Sequence, residues 1–177
     1  MKAFAGESQA RNKYTFFASA AKKEGFEQIA AIFLETADNE KEHAKRLFSM
    51  LGKDKVEITA EFPAGAGDTQ SNLEYAAEGE HYEWGTMYPD FEKIARKEGE
   101  SEAADLFREL ARVEAQHEKR YLKLLDNLKK GKVFKKDKVV KWHCRNCGYI
   151  FEGREAPIQC PACKHPQAYY ELLSENY

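Results

Sequence analysis

Two Glu-x-x-His steps occupy positions where helices should present hydrophobic side chains: Glu40-Lys41-Glu42-His43 and Glu114-Ala115-Gln116-His117. The inward stripe of the helix that carries the first step runs Ile29, Phe33, Thr36, Glu40, His43, Leu47, Met50, in steps of four and three. That of the helix that carries the second step runs Ala103, Leu106, Leu110, Glu114, His117, Tyr121, Leu124, Leu128. Both are seams that face a helical core. Burying carboxylates and imidazoles there is costly unless an opposite charge meets them. Metal ions are the obvious compensator. Residues three apart on a helix lie about 4.5 Å apart along its axis, so each step can offer two ligands to one small volume.

Two further stripes carry the same anomaly. Glu7, Ala10, Tyr14, Phe17 and Ala21 share a face of the first helix, and Leu73, Ala76, Glu80, Glu83, Met87, Phe91 and Ile94 share a face of the third. Glu7 precedes Glu40 by 33 residues and Glu80 precedes Glu114 by 34. The spacing reads as a duplicated helical hairpin with ligands at matching heights. Ala10 is the first-half counterpart of Glu83, so only one half offers the extra carboxylate. A solvated glutamate or a satisfied core histidine explains any single residue, but not seven at inward positions in matched halves. One Glu from each of two helices plus Glu-x-x-His from the other two is the arrangement already known from ferritin-like di-iron carboxylate proteins.

A second metal site is written in cysteines. Cys144-Arg145-Asn146-Cys147 is followed, twelve residues later, by Cys160-Pro161-Ala162-Cys163, and the chain has no other cysteine. None is left over for a disulfide. With no signal peptide or long apolar run, this points to a reducing cytoplasm. Four thiolates in two knuckles make a closed tetrahedral site for zinc or a single iron. A segment as short as 139–177 cannot fold on its own core, so the metal must hold it together. Spacing alone leaves the metal open. A nucleic-acid-binding zinc ribbon would need a basic face, whereas residues 139–177 hold four Lys or Arg against four Asp or Glu. Trp142, Tyr149, Phe151, Tyr169 and Tyr170 read as the core of this module. Iron is favoured.

The elements that must position these residues follow from punctuation. The first helix is predicted over Ala3–Lys23, stopping at Gly25, and the second over Phe26–Leu51, stopping at Gly52. Lys53–Asp68 is a crossover joining the hairpins. The third helix starts near Thr69, and Pro89 is expected to kink or break it. Gly99 separates it from the fourth, which runs to about Lys130. The fold class expected is mainly α: a four-helix ferritin-like bundle (1–131), a Lys-rich linker (132–138) and a small metal-bound domain (139–177), which the resemblance of its knuckles implies is a rubredoxin-like β domain. Residues 1–128 carry a formal charge of −7 and residues 129–138 one of +5, so the basic segment is a solvated tether or docks on the acidic bundle.

These motifs resemble the rubrerythrins over nearly the whole chain. They are Phe4-Ala5-Gly6-Glu7-Ser8-Gln9-Ala10, Glu40-Lys41-Glu42-His43-Ala44-Lys45-Arg46, Gly79-Glu80-His81-Tyr82-Glu83 and Glu114-Ala115-Gln116-His117-Glu118-Lys119-Arg120. The rubredoxin-like Cys144-Arg145-Asn146-Cys147-Gly148-Tyr149 and Cys160-Pro161-Ala162-Cys163 follow in the same order as in the family. One departure is that only six residues precede Glu7. Either the natural start lies upstream of Met1, or the first helix opens with its ligand already in place near a fraying end.

The resemblance implies a non-haem peroxidase of the oxidative-stress defence that reduces hydrogen peroxide to water. In that reading Glu40 and Glu114 bridge two irons, and Glu7, Glu80 and His117 are further ligands. His43 and Glu83 are the catalytic pair that exchange as an iron ligand on oxidation. Tyr14 and Tyr88, about two turns beyond Glu7 and Glu80, are candidate hydrogen-bond donors to ligand carboxylates. So carboxylate-rich a site favours the ferric state, oxo- or hydroxo-bridged when oxidised. A mononuclear iron on Cys144, Cys147, Cys160 and Cys163 would feed it electrons, although zinc can substitute there.

The partners implied are an upstream donor such as rubredoxin or an NAD(P)H-dependent reductase, and a second copy in a head-to-tail homodimer or larger homo-oligomer. No nucleic acid or membrane is implied. The alternatives are a ferroxidase or iron-handling protein, or a scaffold with a structural zinc ribbon. Trp84, His81, His143 and His165 suggest nothing beyond packing.

Overall fold

The computed structural model describes residues 1–176; Tyr177, the last residue of the expected small domain, lies outside them. Five helical segments come first: α1 (Lys2–Lys23), α2 (Glu27–Phe48), α3 (Thr69–Tyr82), α4 (Tyr88–Glu98) and α5 (Ser101–Lys129). A π-helical turn, Glu83–Met87, joins α3 to α4, so these form one rod and the bundle has four members. Gly25 and Gly99 end their helices with φ of 82° and 83°, a conformation that side chains with a Cβ resist. Asp68 caps α3 by accepting from the Ser71 amide at 2.8 Å. α1 packs along α2, and α3 and α4 pack along α5. The two hairpins meet more sparsely through α1–α3 and α2–α5.

The third rod departs from expectation. Pro89 neither breaks nor sharply ends it, because it falls within the first turn of α4, where the preceding π turn has already left the helical hydrogen-bond pattern. The π turn's extra residue also rotates everything downstream. Tyr88 (fully buried) and Ala95 face inward, while Ile94, which simple periodicity places in the seam, is 51% exposed. α2 also ends earlier than expected, at Phe48, and a looser turn carries the chain to Gly52.

The bundle core is in two pieces. One cluster holds Tyr14, Phe17, Ile29, Phe33, Leu73, Tyr121 and Leu125; the other holds Ala3, Leu47, Met87, Tyr88 and Leu110. On every rod the acidic ligand candidates fall between them. Buried apolar side chains on both sides hold the four backbones in place while the middle layer stays polar.

Three antiparallel strands follow: β1 (Lys135–Cys144), β2 (Ile150–Glu155) and β3 (Tyr170–Leu172), in the order β2-β1-β3. β1 begins inside the segment 132–138 expected as a linker, and its register with β2 shifts between Lys135 and Val140. The core of this layer is Trp142, Cys144, Ala156, Cys160 and Tyr170, with Tyr149, Phe151 and Tyr169 against it. It leans on its own bundle at the start of α2, where Phe134 stacks on Phe26 with ring centroids 6.1 Å apart. No helix among the described residues is long and apolar enough to cross a membrane.

Candidate metal centres

Glu7, Glu40, Glu80 and Glu114 are fully buried, and His117 is 4% exposed. They form two groups of four: Glu7, Glu40, His43, Glu114 and Glu40, Glu80, Glu114, His117, with the ligand atoms of each within 4.8 Å of one another. Glu40 and Glu114 belong to both. Each divides its oxygens between the two histidines. Glu40 Oε2 lies 2.8 Å from His43 Nδ1 and Glu40 Oε1 lies 3.2 Å from His117 Nδ1. Glu114 Oε1 lies 3.2 Å from His43 Nδ1 and Glu114 Oε2 lies 2.9 Å from His117 Nδ1. Glu7 and Glu80 each face one side only, 3.6 Å from His43 and 3.7 Å from His117 respectively. Two shared carboxylates and two flanking ones are the geometry of a dinuclear centre.

The donor set also fits two cations. Glu7 Oε2, Glu40 Oε1, Glu80 Oε2, both oxygens of Glu114 and His117 Nδ1 are buried without a hydrogen-bond partner. Buried charged groups left in that state are strongly destabilising. Burial, followed by the repulsion of neighbouring carboxylates, raises Glu80 and Glu83 well above the usual carboxylate range. Burial does the same for Glu7, against the hydrogen bond to His43. Glu40 behaves oppositely: burial resists its ionisation, but the adjacent imidazoles of His117 and His43 hold it at about 2. Burial works against protonating His117, yet Glu114 and Glu40 carry it up to about 9. His43 is raised as well, by Glu114, Glu40 and Glu7 against its own burial. Without metal the site therefore holds protons that cations would displace.

Each outer carboxylate is tied by a tyrosine from the opposite hairpin. Tyr14 donates to Glu80 Oε1 at 2.6 Å, and Tyr88 donates to Glu7 Oε1. The exchange requires α1 and the third rod to run antiparallel. It also explains an asymmetry of spacing: Tyr14 lies seven residues beyond Glu7 but Tyr88 eight beyond Glu80, the additional residue being that of the π turn. Glu7 is in the second turn of α1, buried and bonded, despite its place near the start of the chain.

Glu83 stands apart. It opens the π turn and belongs to neither group of four. A Cβ on Gly6 would lie 4.0 Å from its Oε1, so the carboxylate rests against α1 beside Glu7. Lys13 stands near it, its pKa lowered by burial against the pull of Glu83, Glu80 and Glu40. Sequence reasoning missed Lys13, which falls between stripes of periodicity. It also missed the clamp on the π turn, in which Glu118 accepts from Trp84 Nε1 at 2.7 Å and lies 3.0 Å from His81 Nδ1. Glu118, directly after His117 in the second Glu-x-x-His step, was the available signal. His143 pairs weakly with Glu171, and His165 packs its edge on Tyr169.

In the small domain Cys144 Sγ lies 3.8 Å from Cys163 Sγ, and Cys147 Sγ 3.7 Å from Cys160 Sγ. Four sulfurs about 2.3 Å from a central ion would be about 3.8 Å apart. The knuckles repeat one backbone plan. The Gly148 amide donates to Cys144 O at 2.8 Å and the Lys164 amide to Cys160 O at 2.9 Å, both from residues with positive φ. A backbone hydrogen bond at His165 draws the Cys163 thiol down to about 6. The Tyr149 amide draws Cys147 the same way, but the other three cysteines push it up to about 12. Four thiols this close cannot all ionise without a cation.

Comparison with known proteins agrees with both centres. The family model described as rubrerythrin matches residues 1–125, and that of the rubrerythrin rubredoxin-like domain matches residues 142–171. The chain is 57% identical to a rubrerythrin of Porphyromonas gingivalis, covering all of this chain and 89% of that one. It is 54% identical to a rubrerythrin of Nitratidesulfovibrio vulgaris, covering all of this chain and 93% of that one. Among solved structures, fully reduced, all-ferrous nigerythrin superposes with a TM-score of 0.64 at 34% identity, over 97% of this chain and 83% of that one. A di-iron carboxylate–histidine site in a ferritin-like domain and a four-cysteine rubredoxin-like site stand in the order, and on the full-length match, that place this chain in the rubrerythrin family of oxidoreductases.

Proposed function

We propose that this chain is a peroxidase that reduces hydrogen peroxide to water at the carboxylate cluster, with electrons entering through the four-cysteine site. The observation that carries this reading is the pairing of Glu40 and Glu114 across both groups of four, with Glu83 held just outside them. When bound, two irons supply the two electrons that cleavage of the O–O bond consumes. Glu40 and Glu114 would hold both ions and Glu7 and Glu80 one each, with Tyr88 and Tyr14 fixing the rotation of the last two carboxylates. His43, inside one group of four, and Glu83, just outside it, would be the alternative ligands to one of the ions. Glu83 can swing inward because it leads a π turn, where the backbone is less tightly bonded than an α-helix.

The four-cysteine domain is supported as a donor domain by its match to a family in which it accompanies the di-iron bundle. Its resting place favours transfer to a second subunit. The small domain touches its own bundle at Phe26, and about 21 Å of helix separates Phe26 from Glu40, with an aromatic core cluster between. A head-to-tail homodimer would bring the cysteines of one subunit near His43 of the other. His43 is the more exposed histidine of the pair, at 12% of its side chain against 4% for His117. An external reductase then reloads the cysteine site. Residues 1–131 are thus a catalytic module, and the sheet that begins at Lys135 is a donor module.

The test is Cys144→Ser in iron-loaded protein. One oxidation of the pre-reduced bundle site by peroxide should proceed at the normal rate, while steady turnover with a reductase should fall at least a hundredfold. Normal steady turnover would remove the cysteine site from the electron path.

A further inference from the structure

A cavity of about 840 Å³ lies between α1 and α3, beneath the crossover segment Thr59–Pro63, and reaches Glu83. Hydrogen peroxide is not much larger than two water molecules, each of which occupies about 30 Å³ in the liquid. The space is more than ten times what peroxide needs and lies within the range of small-molecule pockets.

Its construction is specific. Gly6 and Gly79, each directly before an outer ligand glutamate, leave the wall between the helices thin, and side chains there would meet Phe62 and Lys13 respectively. The floor is polar, with Glu83 and Lys13. The walls and roof are apolar, including Phe62, Pro63, Tyr82 and Met87. Gln9 donates to Pro63 O at 3.0 Å and pins the roof to α1. Charges of both signs line the rest of it, Lys2 against Glu61 and Glu78, so the apolar walls rather than net charge decide what it takes.

We infer that this cavity admits neutral organic hydroperoxides, with the hydrocarbon body against Phe62, Tyr82 and Met87 and the O–O group directed to Glu83. The inference rests on the peroxidase reading and extends its substrate class. The reaction balances as ROOH plus two electrons and two protons giving ROH and water. The O–O bond breaks, and the electrons come from the reduced di-iron centre. Desolvating an aryl or tertiary-alkyl group against these walls provides the affinity.

The test pairs binding with turnover. The full chain, with zinc in both sites so that no redox occurs, is titrated with 2-phenylpropan-2-ol, the alcohol product of cumene hydroperoxide, and followed by NMR. Saturable shifts at Met87, Phe62 and Tyr82, weakened at least tenfold by Ala60→Trp at the mouth, are expected. The iron-loaded protein should convert cumene hydroperoxide to that alcohol in equal amounts. If hydrogen peroxide is consumed but cumene hydroperoxide is not, and the alcohol does not bind, the inference falls while the peroxidase reading stands. Alcohol binding insensitive to Ala60→Trp also overturns it, because the site then lies elsewhere. If neither peroxide is consumed, the peroxidase reading fails and the wider substrate class fails with it.

Discussion

The two metal centres are built in opposite ways. In the bundle, two apolar clusters with Phe17, Phe33 and Tyr88 fully buried stabilise the fold on either side of the site, and the site interrupts them. In the small domain Cys144 and Cys160 are themselves core residues beside Trp142, so the site is the centre of the core. The first is a fold that tolerates a costly polar layer; the second is a layer whose fold should depend on its metal. The difference follows from size, since a chain of forty residues cannot bury enough surface to offset its conformational entropy.

The largest effect should come from breaking that contrast directly. Cys160→Ser should unfold the small sheet alone, since apparent metal-binding energies of about 10–16 kcal/mol in comparable small domains are folding energies. Trp142 fluorescence should shift to that of an exposed indole while the helical circular dichroism keeps nearly all its amplitude. Loss of helix together with the sheet would mean that the domains fold as one unit. The converse variant is Phe33→Ala, which removes a ring packed against Tyr14, Phe17 and Tyr121. It should destabilise the bundle by about 3–5 kcal/mol and leave the visible spectrum of the cysteine site unchanged.

A smaller effect is expected where the bundle site meets its supports. Tyr88→Phe and Tyr14→Phe should each weaken metal binding about 10–100-fold, with the affinity for the second ion affected most, because each tyrosine steadies only one outer carboxylate. Equal weakening for both ions in both variants would contradict the cross-bonded arrangement.

The smallest effect is on pH dependence. Glu7 and Glu80 are raised in the folded state, and His117 is raised to about 9. Each therefore contributes stability that is complete below its unfolded pKa and is lost as pH rises through its folded one. Glu40, held at about 2, titrates below this window. The helical melting temperature of metal-free protein should fall by roughly 5 °C between pH 5 and 9, while that of the metal-loaded protein stays nearly flat. A metal-free melting temperature that rises over this range would reverse the assignment.

The sequence by itself determined the ligand types, their duplication and the cysteine knuckles. Each is a local statement: a charge at an inward helical position or a pair of thiols three residues apart is visible without knowing what lies opposite. The bundle follows from the same periodicities and from glycines such as Gly25 and Gly99, and the sheet domain from the family resemblance that the knuckles carry. Only the tertiary structure decided what depends on apposition. Tyr14 reaching Glu80, Tyr88 reaching Glu7, and Lys13 standing beside Glu83 join positions on different helices, and no periodicity records those distances. The π turn was equally hidden. One added residue within a helix leaves composition and hydropathy almost unchanged, yet it turns Tyr88 inward and Ile94 outward, absorbs Pro89, and sets Glu83 on the least tightly bonded backbone of the site.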